Sequence, residues 1–195
     1  MAQGIRSFIA FPVSAETAQA VSHAIMEWQR LPGDVRWTSV INMHLTLKFL
    51  GDVPPDQLAA VREALANAAA GTAPFRIQFG PLGAFPSWRR PRVLWIGPVS
   101  VPPQVAVLYE AMEREMSTLG FPREDRPFSP HLTLARIKQP YGLEQLTSRM
   151  QARQSVACPP FTVRNVTLFK SDLRPAGPVY TSLQTCDLAL EDSDG

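Results

Sequence analysis

The tetrapeptide HLTL occurs at residues 44–47 and again at residues 131–134, 87 residues further along the chain. The chain has only 3 histidines, so two of them begin the same four-residue word. Other landmarks repeat at an offset of 86 to 87 residues: Arg6–Pro12 with Arg92–Pro98, Arg36 with Arg123, Pro54 with Pro140, and Pro74–Ile77 with Pro160–Val163. Their common order and spacing indicate an internal duplication.

Each half has the same predicted order of elements, within a single bilobal domain over residues 1–195. Residues Ser14 and Thr17 fit the N-terminal cap and first turn of the first helix. The predicted elements are an apolar strand (6–13; 92–98), a helix (14–31; 102–119), the HLTL strand, a second helix (55–70; 142–153) and a Phe-led strand (75–82; 161–170). The duplicated halves span about 6–85 and 92–170, and a C-terminal strand follows at about 180–190. This alternation predicts an α+β or α/β protein, with either antiparallel or parallel pairing.

The composition is that of a soluble globular protein, with 45% hydrophobic and 18% charged residues. A net charge of +2 is much less than that of a protein that binds duplex DNA. Cys158 and Cys186 are too few for a disulfide framework and lack metal-ligand spacing. The apolar run from Phe8 to Val13 is too short for a signal peptide or a membrane span, so we expect a cytoplasmic protein without a membrane partner.

Side chains alternate between the two faces of an extended strand. In the first word this alternation predicts that His44, Thr46 and Lys48 share a face, with the leucines on the core side. In the second word His131 and Thr133 share a face. Two such strands side by side would surround one cavity with two imidazoles and two hydroxyls.

This quartet suits in-line displacement at a phosphorus atom. One imidazole can accept a proton from water while the other donates a proton to a leaving group, because histidine exists in both forms near neutral pH. Threonine hydroxyls can donate hydrogen bonds to phosphate oxygens. No Asp, Glu or Cys shares the spacing of the words, so no metal site is predicted. A lone strand histidine is usually structural, but the matched pair favours function; His23 has no such partner.

The two words resemble the H-x-T-x signature of the 2H phosphoesterase superfamily. Their surroundings, "FIAFPV", "HLTLKFLGDV", "GPLGAFPSWRRPRVLWIG" and "FSPHLTLAR", are similar to those of the bacterial and archaeal RNA 2′,3′-cyclic phosphodiesterases, formerly called 2′-5′ RNA ligases. The similarity extends over about residues 6 to 185. A single H-x-T word is weak evidence, whereas the pair in these contexts is strong.

The resemblance implies an α+β fold of two pseudo-symmetric lobes, each an antiparallel sheet with outer helices, around a central cleft. It implies hydrolysis of a 2′,3′-cyclic phosphate at an RNA end to a 2′-phosphomonoester, with no metal or cofactor, and in some members 2′-5′ ligation. Carried over to this chain, His44 would be the general acid that protonates O3′ and His131 the base that activates water. Thr46 and Thr133 would hold the phosphate oxygens.

Four further residues are candidates for substrate binding. Arg136 matches an arginine that often follows the second word in this family, although alternation puts it on the opposite face unless a bulge turns it back. Lys48 is either a cleft residue or a solvated charge, and Arg126 lies in the loop before the second word. Phe11 either stacks on a base at the cleft floor or packs in the core. The segment Ser87–Arg92 either holds an RNA strand or is an exposed connection.

Three functions are compatible with these features. The first is hydrolysis of RNA 2′,3′-cyclic phosphate ends, for which tRNA fragments are one candidate source, by a monomeric enzyme. The second applies the same quartet to a small cyclic nucleotide derivative. The third is a nucleotide- or RNA-binding module without turnover, although the presence of both histidines and both threonines argues against a decayed site.

Overall fold

The computed structural model describes residues 4–175 and 177–189. Within these ranges the chain forms four α-helices and ten strands. The helices are α1 (Ala15–Ile25), α2 (Leu58–Ala70), α3 (Pro103–Thr118) and α4 (Glu144–Arg153). The strands are β1 (Ile5–Pro12), β2 (Val35–Trp37), β3 (His44–Val53), β4 (Phe75–Ile77), β5 (Phe79–Phe85), β6 (Val93–Pro98), β7 (Leu132–Ile137), β8 (Phe161–Val163), β9 (Asn165–Arg174) and β10 (Gly177–Asp187).

One antiparallel sheet carries most of the fold. Its strand order is β10-β9-β1-β3-β7-β6-β5, with β2 paired to β7, while β4 and β8 form a separate two-stranded sheet. All of these pairs are antiparallel. The antiparallel α+β fold implied by the resemblance is therefore confirmed, and the parallel alternative left open by the element order is excluded. The sheets expected for the two lobes join into one continuous sheet at β3 and β7.

The two halves meet where β3 and β7 pair at Leu45 and Leu132. On either side of this contact the order is the same, because β1 pairs with β3 and β6 pairs with β7. Phe11 pairs with Leu45 and Ile96 with Leu132, so these two residues are equivalent. Phe11 and Ile96 are 85 residues apart, whereas the sequences of the same two strands, Arg6–Pro12 and Arg92–Pro98, match at an offset of 86 residues. The predicted duplication is confirmed, with this one-residue change in β6.

The outer helices cover the core side of the sheet. The Ser14 side chain accepts a hydrogen bond of 3.1 Å from the Thr17 N–H, which confirms the predicted N-cap. Helix α1 ends at Ile25, earlier than predicted, and Trp28 lies in a separate 3₁₀ turn that buries its side chain.

None of the described helices combines the length and the apolar character needed to cross a membrane.

A β-bulge interrupts each HLTL strand directly after its threonine. In β3, Ala10 pairs with Thr46 and Ile9 with Lys48, which leaves Leu47 without a partner on β1. A bulge inserts one extra residue and shifts the alternation of faces beyond it. Leu47 and Lys48 are therefore both buried, whereas the next residue, Phe49, is exposed on the other face.

The second strand has the same irregularity at the equivalent position. Trp95 pairs with Thr133 and Leu94 with Ala135, so Leu134 has no partner on β6. Leu134 and Ala135 are both buried, and Arg136 returns to the face of Thr133. The two bulges are thus a repeated feature of the duplication that simple alternation did not predict.

Candidate active site

The two words line one cleft of about 470 Å³. Leu45 and Leu132 form the antiparallel contact between β3 and β7. Stepping one residue away from this pair brings His44 opposite Thr133 and Thr46 opposite His131. All four of these polar side chains line the cleft. The structure therefore brings together the quartet that the sequence predicted.

The two imidazoles are held by the same type of hydrogen bond. His44 Nδ1 lies 2.8 Å from the carbonyl oxygen of Asn42, and His131 Nδ1 lies 2.7 Å from the carbonyl oxygen of Ser129. A carbonyl oxygen can only accept, so each Nδ1 carries the hydrogen. In the neutral form Nε2 is then the basic nitrogen of each ring, and it is the atom free to exchange a proton with a ligand.

Aromatic rings surround the two histidines differently. The His44 ring lies 4.8 Å from the ring of Phe8 and meets Tyr180 edge-on at 5.2 Å, with Phe169 at 6.3 Å. His131 meets Phe85 edge-on at 4.9 Å. These contacts fix both ring planes and make the surroundings of His44 the more apolar.

Burial lowers the pKa of both histidines. It brings the pKa of His44 down from 6.5 to about 4, an effect that the hydrogen bond to Asn42 opposes and the charges of Arg136 and His131 reinforce. It also lowers the pKa of His131, again against the hydrogen bond to Ser129 and with help from Arg136. With the cleft unliganded, both imidazoles are therefore predominantly neutral at pH 7.

The charge around the quartet favours an anion. Arg36, Arg136 and Arg174 line the cleft. None of the described residues that line it is an aspartate or glutamate. Among the described residues, no group of three or more His, Cys, Asp or Glu side chains is arranged to hold a metal ion. The cleft thus offers arginine guanidinium groups, hydroxyls and imidazoles, which suit a phosphate group.

Of the four further candidates, Arg136 lies in the cleft and Lys48 does not. The bulge at Leu134 turns Arg136 to the face of His131, which resolves the conflict with simple alternation. The bulge at Leu47 has the opposite effect on Lys48, which is buried on the core side and paired with Glu113. The prediction that Lys48 shares the face of His44 is therefore wrong.

Phe11 and Arg126 also lie outside the cleft. Phe11 is fully buried and packs edge-on against Phe75. It pairs with Leu45 on the core face, whereas Phe8 lies on the other face of β1, with its ring 4.8 Å from that of His44. Arg126 is exposed in the loop before β7 and is not among the residues that line the cleft.

Several cleft residues were not predicted. Phe49 reaches the cleft through the bulge in β3, and Arg36 does so because β2 pairs with β7. In the sequence Arg36 stood out only because it matches Arg123 in the duplication, and this match did not indicate that it binds a ligand. Arg174 and Tyr180 come from the β9–β10 hairpin, and their approach to the cleft depends on long-range pairing that no local pattern reveals.

Comparison with known proteins gives the family. Two successive matches to the family "LigT like Phosphoesterase" cover residues 12–95 and 96–180, so the chain belongs to this family. It is 32% identical over 180 residues to the RNA 2′,3′-cyclic phosphodiesterase of Methanothermobacter thermautotrophicus, covering 92% of this chain and 97% of the relative. It is also 32% identical over 185 residues to the enzyme of the same name from Thermotoga maritima, with coverages of 93% and 95%.

Solved structures agree with this assignment. A crystal structure of a Thermus thermophilus protein is similar with a TM-score of 0.81 at 29% identity, covering 96% of this chain and 100% of the other. E. coli LigT complexed with 3′-AMP has the same fold, with a TM-score of 0.76 at 24% identity and coverages of 95% and 98%. The resemblance to the 2H phosphoesterases is thereby confirmed, as is the prediction that the chain is an enzyme of this class.

Proposed function

We propose that this protein hydrolyses 2′,3′-cyclic phosphate ends of RNA to 2′-phosphomonoesters by a metal-free mechanism that uses two histidines. One observation carries the proposal: two imidazoles, each with Nδ1 hydrogen-bonded to a backbone carbonyl, share one cleft with two threonines. The names of the relatives from M. thermautotrophicus and T. maritima support the same substrate.

In the proposed reaction His131 Nε2 takes a proton from water, and the water oxygen forms a bond to phosphorus. The bond between phosphorus and O3′ breaks, and His44 Nε2–H gives its proton to O3′. The products are a 2′-phosphomonoester and a free 3′-hydroxyl. Solvent then restores the proton of His44 and removes the proton of His131, so the cycle closes without an external cofactor.

The threonines and Arg136 stabilise the charge that this reaction concentrates on phosphorus. Thr46 and Thr133 lie on opposite strands, next to the histidine of the other word, and their hydroxyls donate to the non-bridging oxygens. The Arg136 guanidinium offsets the negative charge of these oxygens. Groups that are oriented in advance toward developing charge contribute strongly to catalysis in a site that excludes water.

The protonation of His44 depends on the substrate. Its pKa of about 4 in the unliganded cleft makes it neutral at pH 7. A nearby negative charge favours the protonated imidazole, so the anionic phosphate raises the pKa of His44 as it binds. The acid form is then available in the complex, while His131 acts in its neutral form.

Ligation follows from the same chemistry when the 5′-hydroxyl of a second RNA replaces water. The 5′-oxygen then bonds to phosphorus, O3′ leaves with the proton of His44, and a 2′-5′ phosphodiester results. Phe49, which is 58% exposed and lines the cleft, is a surface on which a nucleobase can stack. Together with Arg36 and Arg174, it favours a nucleotide ligand over an isolated cyclic phosphate.

The test is the product of a short RNA ending in a 2′,3′-cyclic phosphate, assigned by phosphorus NMR with EDTA present. We expect a 2′-phosphate, and a rate lowered about 10²- to 10⁴-fold in His44→Ala and in His131→Ala. His23→Ala is the matched control, because His23 is exposed on α1 and should leave the rate unchanged.

The other outcomes distinguish the alternatives. A 3′-phosphate product would reverse the proposed leaving group, and loss of activity in EDTA would contradict the metal-free mechanism. Faster turnover of a cyclic mononucleotide than of the RNA would favour the small-substrate enzyme. Binding of the RNA without turnover would favour a binding module.

A further inference from the structure

A buried ion pair joins the two halves of the molecule behind the cleft. Lys48 Nζ lies 2.7 Å from Glu113 Oε1, and both side chains are 1% exposed. Lys48 belongs to β3, the strand that begins with His44, whereas Glu113 belongs to α3 of the second half. Both groups therefore lie in the core and neither can contact a ligand in the cleft.

The same two side chains also hold a loop of the second half. Lys48 Nζ donates a hydrogen bond of 2.8 Å to the carbonyl oxygen of Pro122. Glu113 Oε2 accepts a hydrogen bond of 3.2 Å from the backbone N–H of Glu124. The bond from Lys48 attaches Pro122 to the first half of the protein, and the bond to Glu113 attaches Glu124 to α3, so the pair holds the segment 122–124 that lies between the end of α3 and His131.

The equivalent segment of the first half is attached in a different way. Arg36 matches Arg123 in the duplication, and Arg36 lies in β2, which forms a three-residue antiparallel ladder with β7. The segment around Arg123 forms no strand in the described structure. In the first half a backbone ladder holds this segment in place, and in the second half the side chains of Lys48 and Glu113 do so.

Stability alone is a weak explanation for such a pair. Removing two charges from water is costly, and well-packed apolar residues of similar volume often stabilise a protein as well or better. The position equivalent to Lys48 in the second half is the small apolar residue Ala135, which is fully buried. The fold therefore tolerates an apolar side chain at this place in β7, and the charges of the pair need another reason.

We propose that the Lys48–Glu113 pair positions His131 by fixing the segment that leads to it. The segment runs from Pro122 to Ser129, whose carbonyl oxygen accepts the hydrogen bond of His131 Nδ1 at 2.7 Å. A displacement of the segment moves this carbonyl and with it the imidazole. The carbonyl oxygen that orients His44 belongs to Asn42, which neither member of the pair contacts by a hydrogen bond.

The decisive variant replaces both charges at once, Lys48→Met with Glu113→Leu. If the pair were only structural, an apolar replacement that restores the free energy of unfolding would also restore activity. If it positions His131, stability returns but kcat stays about 10- to 100-fold low, since a displacement of about 1 Å can cost 10²-fold in rate. We expect KM to change by less than about threefold, because the phosphate ligands stay in place.

NMR of the histidine rings gives a readout that a merely structural role would not change. In the double variant we expect the ring signals and the pKa of His131 to shift while those of His44 stay as in the unmodified protein. This readout needs no substrate, whereas the kcat readout rests on the proposed function. An inactive unmodified protein would thus refute the function and leave the NMR test intact.

Two further variants complete the experiment. Glu113→Gln keeps the shape of the side chain and an acceptor for the Glu124 N–H, so it tests the same idea at smaller amplitude if the double variant does not fold. The control is Arg153→Met with Glu27→Leu, which removes an ion pair between exposed side chains, one at the end of α4 and one in the turn after α1. Recovery of kcat together with stability in the double variant, or equal shifts of both histidines in either Glu113 variant, would overturn the proposal.

Discussion

Phe49 and Arg136 occupy equivalent positions in the two halves, each three residues after the threonine of its word. Both reach the cleft because a bulge, at Leu47 in β3 and at Leu134 in β7, shifts the alternation of the strand. One half thus presents an apolar ring where the other presents a guanidinium group. The quartet is nearly symmetric, but its immediate surroundings are not, and this difference lets the cleft bind an asymmetric ligand in one orientation.

Replacing Arg136 by alanine should weaken both binding and catalysis. A hydrogen bond between a charged side chain and a phosphate contributes about 1.5–3 kcal/mol, so we expect kcat/KM to fall about 10- to 100-fold. Arg126→Ala is the matched control, because this arginine is exposed in the loop before β7 and outside the cleft. Steady-state kinetics on RNA with a cyclic phosphate end measures both; an equal loss in the two variants would contradict the assignment.

Replacing Phe49 by alanine should act mainly on KM. Stacking of one base on an aromatic side chain contributes about 1–3 kcal/mol, and Phe49 is 58% exposed toward the ligand side. We expect a higher KM at nearly constant kcat, since the two histidines and two threonines of the proposed mechanism are not altered. Tyr141→Ala removes another exposed aromatic side chain, 71% exposed, which does not line the cleft. A normal KM in Phe49→Ala would exclude Phe49 as the base platform.

Replacing Gly83 by alanine should disturb the surroundings of His131. A Cβ atom at this position would lie 2.0 Å from Cζ2 of Trp95, whose ring is 6.2 Å from that of His131. Overpacking of this kind typically costs about 1–3 kcal/mol of stability, and the displaced indole should also lower kcat. Gly71→Ala is the control, because its Cβ would meet nothing within 4 Å. Chemical denaturation and kinetics test this prediction, which fails if both variants behave alike.

The pH dependence of kcat/KM should reflect the lowered pKa values. This ratio reports the free enzyme, in which the proposed mechanism requires one histidine to be protonated and the other neutral. The pKa of His44 is about 4 and that of His131 lies below 6.5, so the bell-shaped profile should have its maximum on the acid side of pH 6.5. Its two limbs belong to the coupled pair rather than to single residues.

The same profile tests the role of Arg136 in these pKa values. Its positive charge lowers the pKa of both histidines, so its removal should shift the maximum toward higher pH. A maximum at or above pH 7.5 in the unmodified protein would contradict the burial of the two imidazoles in the free enzyme.

The sequence allowed the prediction of the quartet because each His and Thr is only two residues apart, and alternation is reliable over that distance. Alternation became unreliable beyond the threonines, because the position of a bulge depends on the partner strand. Alternation placed the Lys48 side chain in the cleft, whereas the bulge at Leu47 directs it to the core. Phe11 was left open between the cleft and the core for a similar reason, since residues 7–11 of β1 are all buried and such a run does not reveal which face the strand turns to the core. The partner of Lys48, Glu113, is 65 residues away and has no local signal.

The most direct test of the central claim, that the two histidines divide proton transfer with His44 as the acid, uses an RNA whose bridging O3′ is replaced by sulfur. A thiol has a pKa near 8.5, so the thiolate leaves without protonation, unlike an alkoxide. The rates of the unmodified protein, His44→Ala and His131→Ala are measured on the oxygen and sulfur substrates. We predict that sulfur restores most of the rate of His44→Ala and none of that of His131→Ala. Rescue of His131→Ala instead would reverse the two roles, and rescue of neither would contradict general-acid catalysis by this pair.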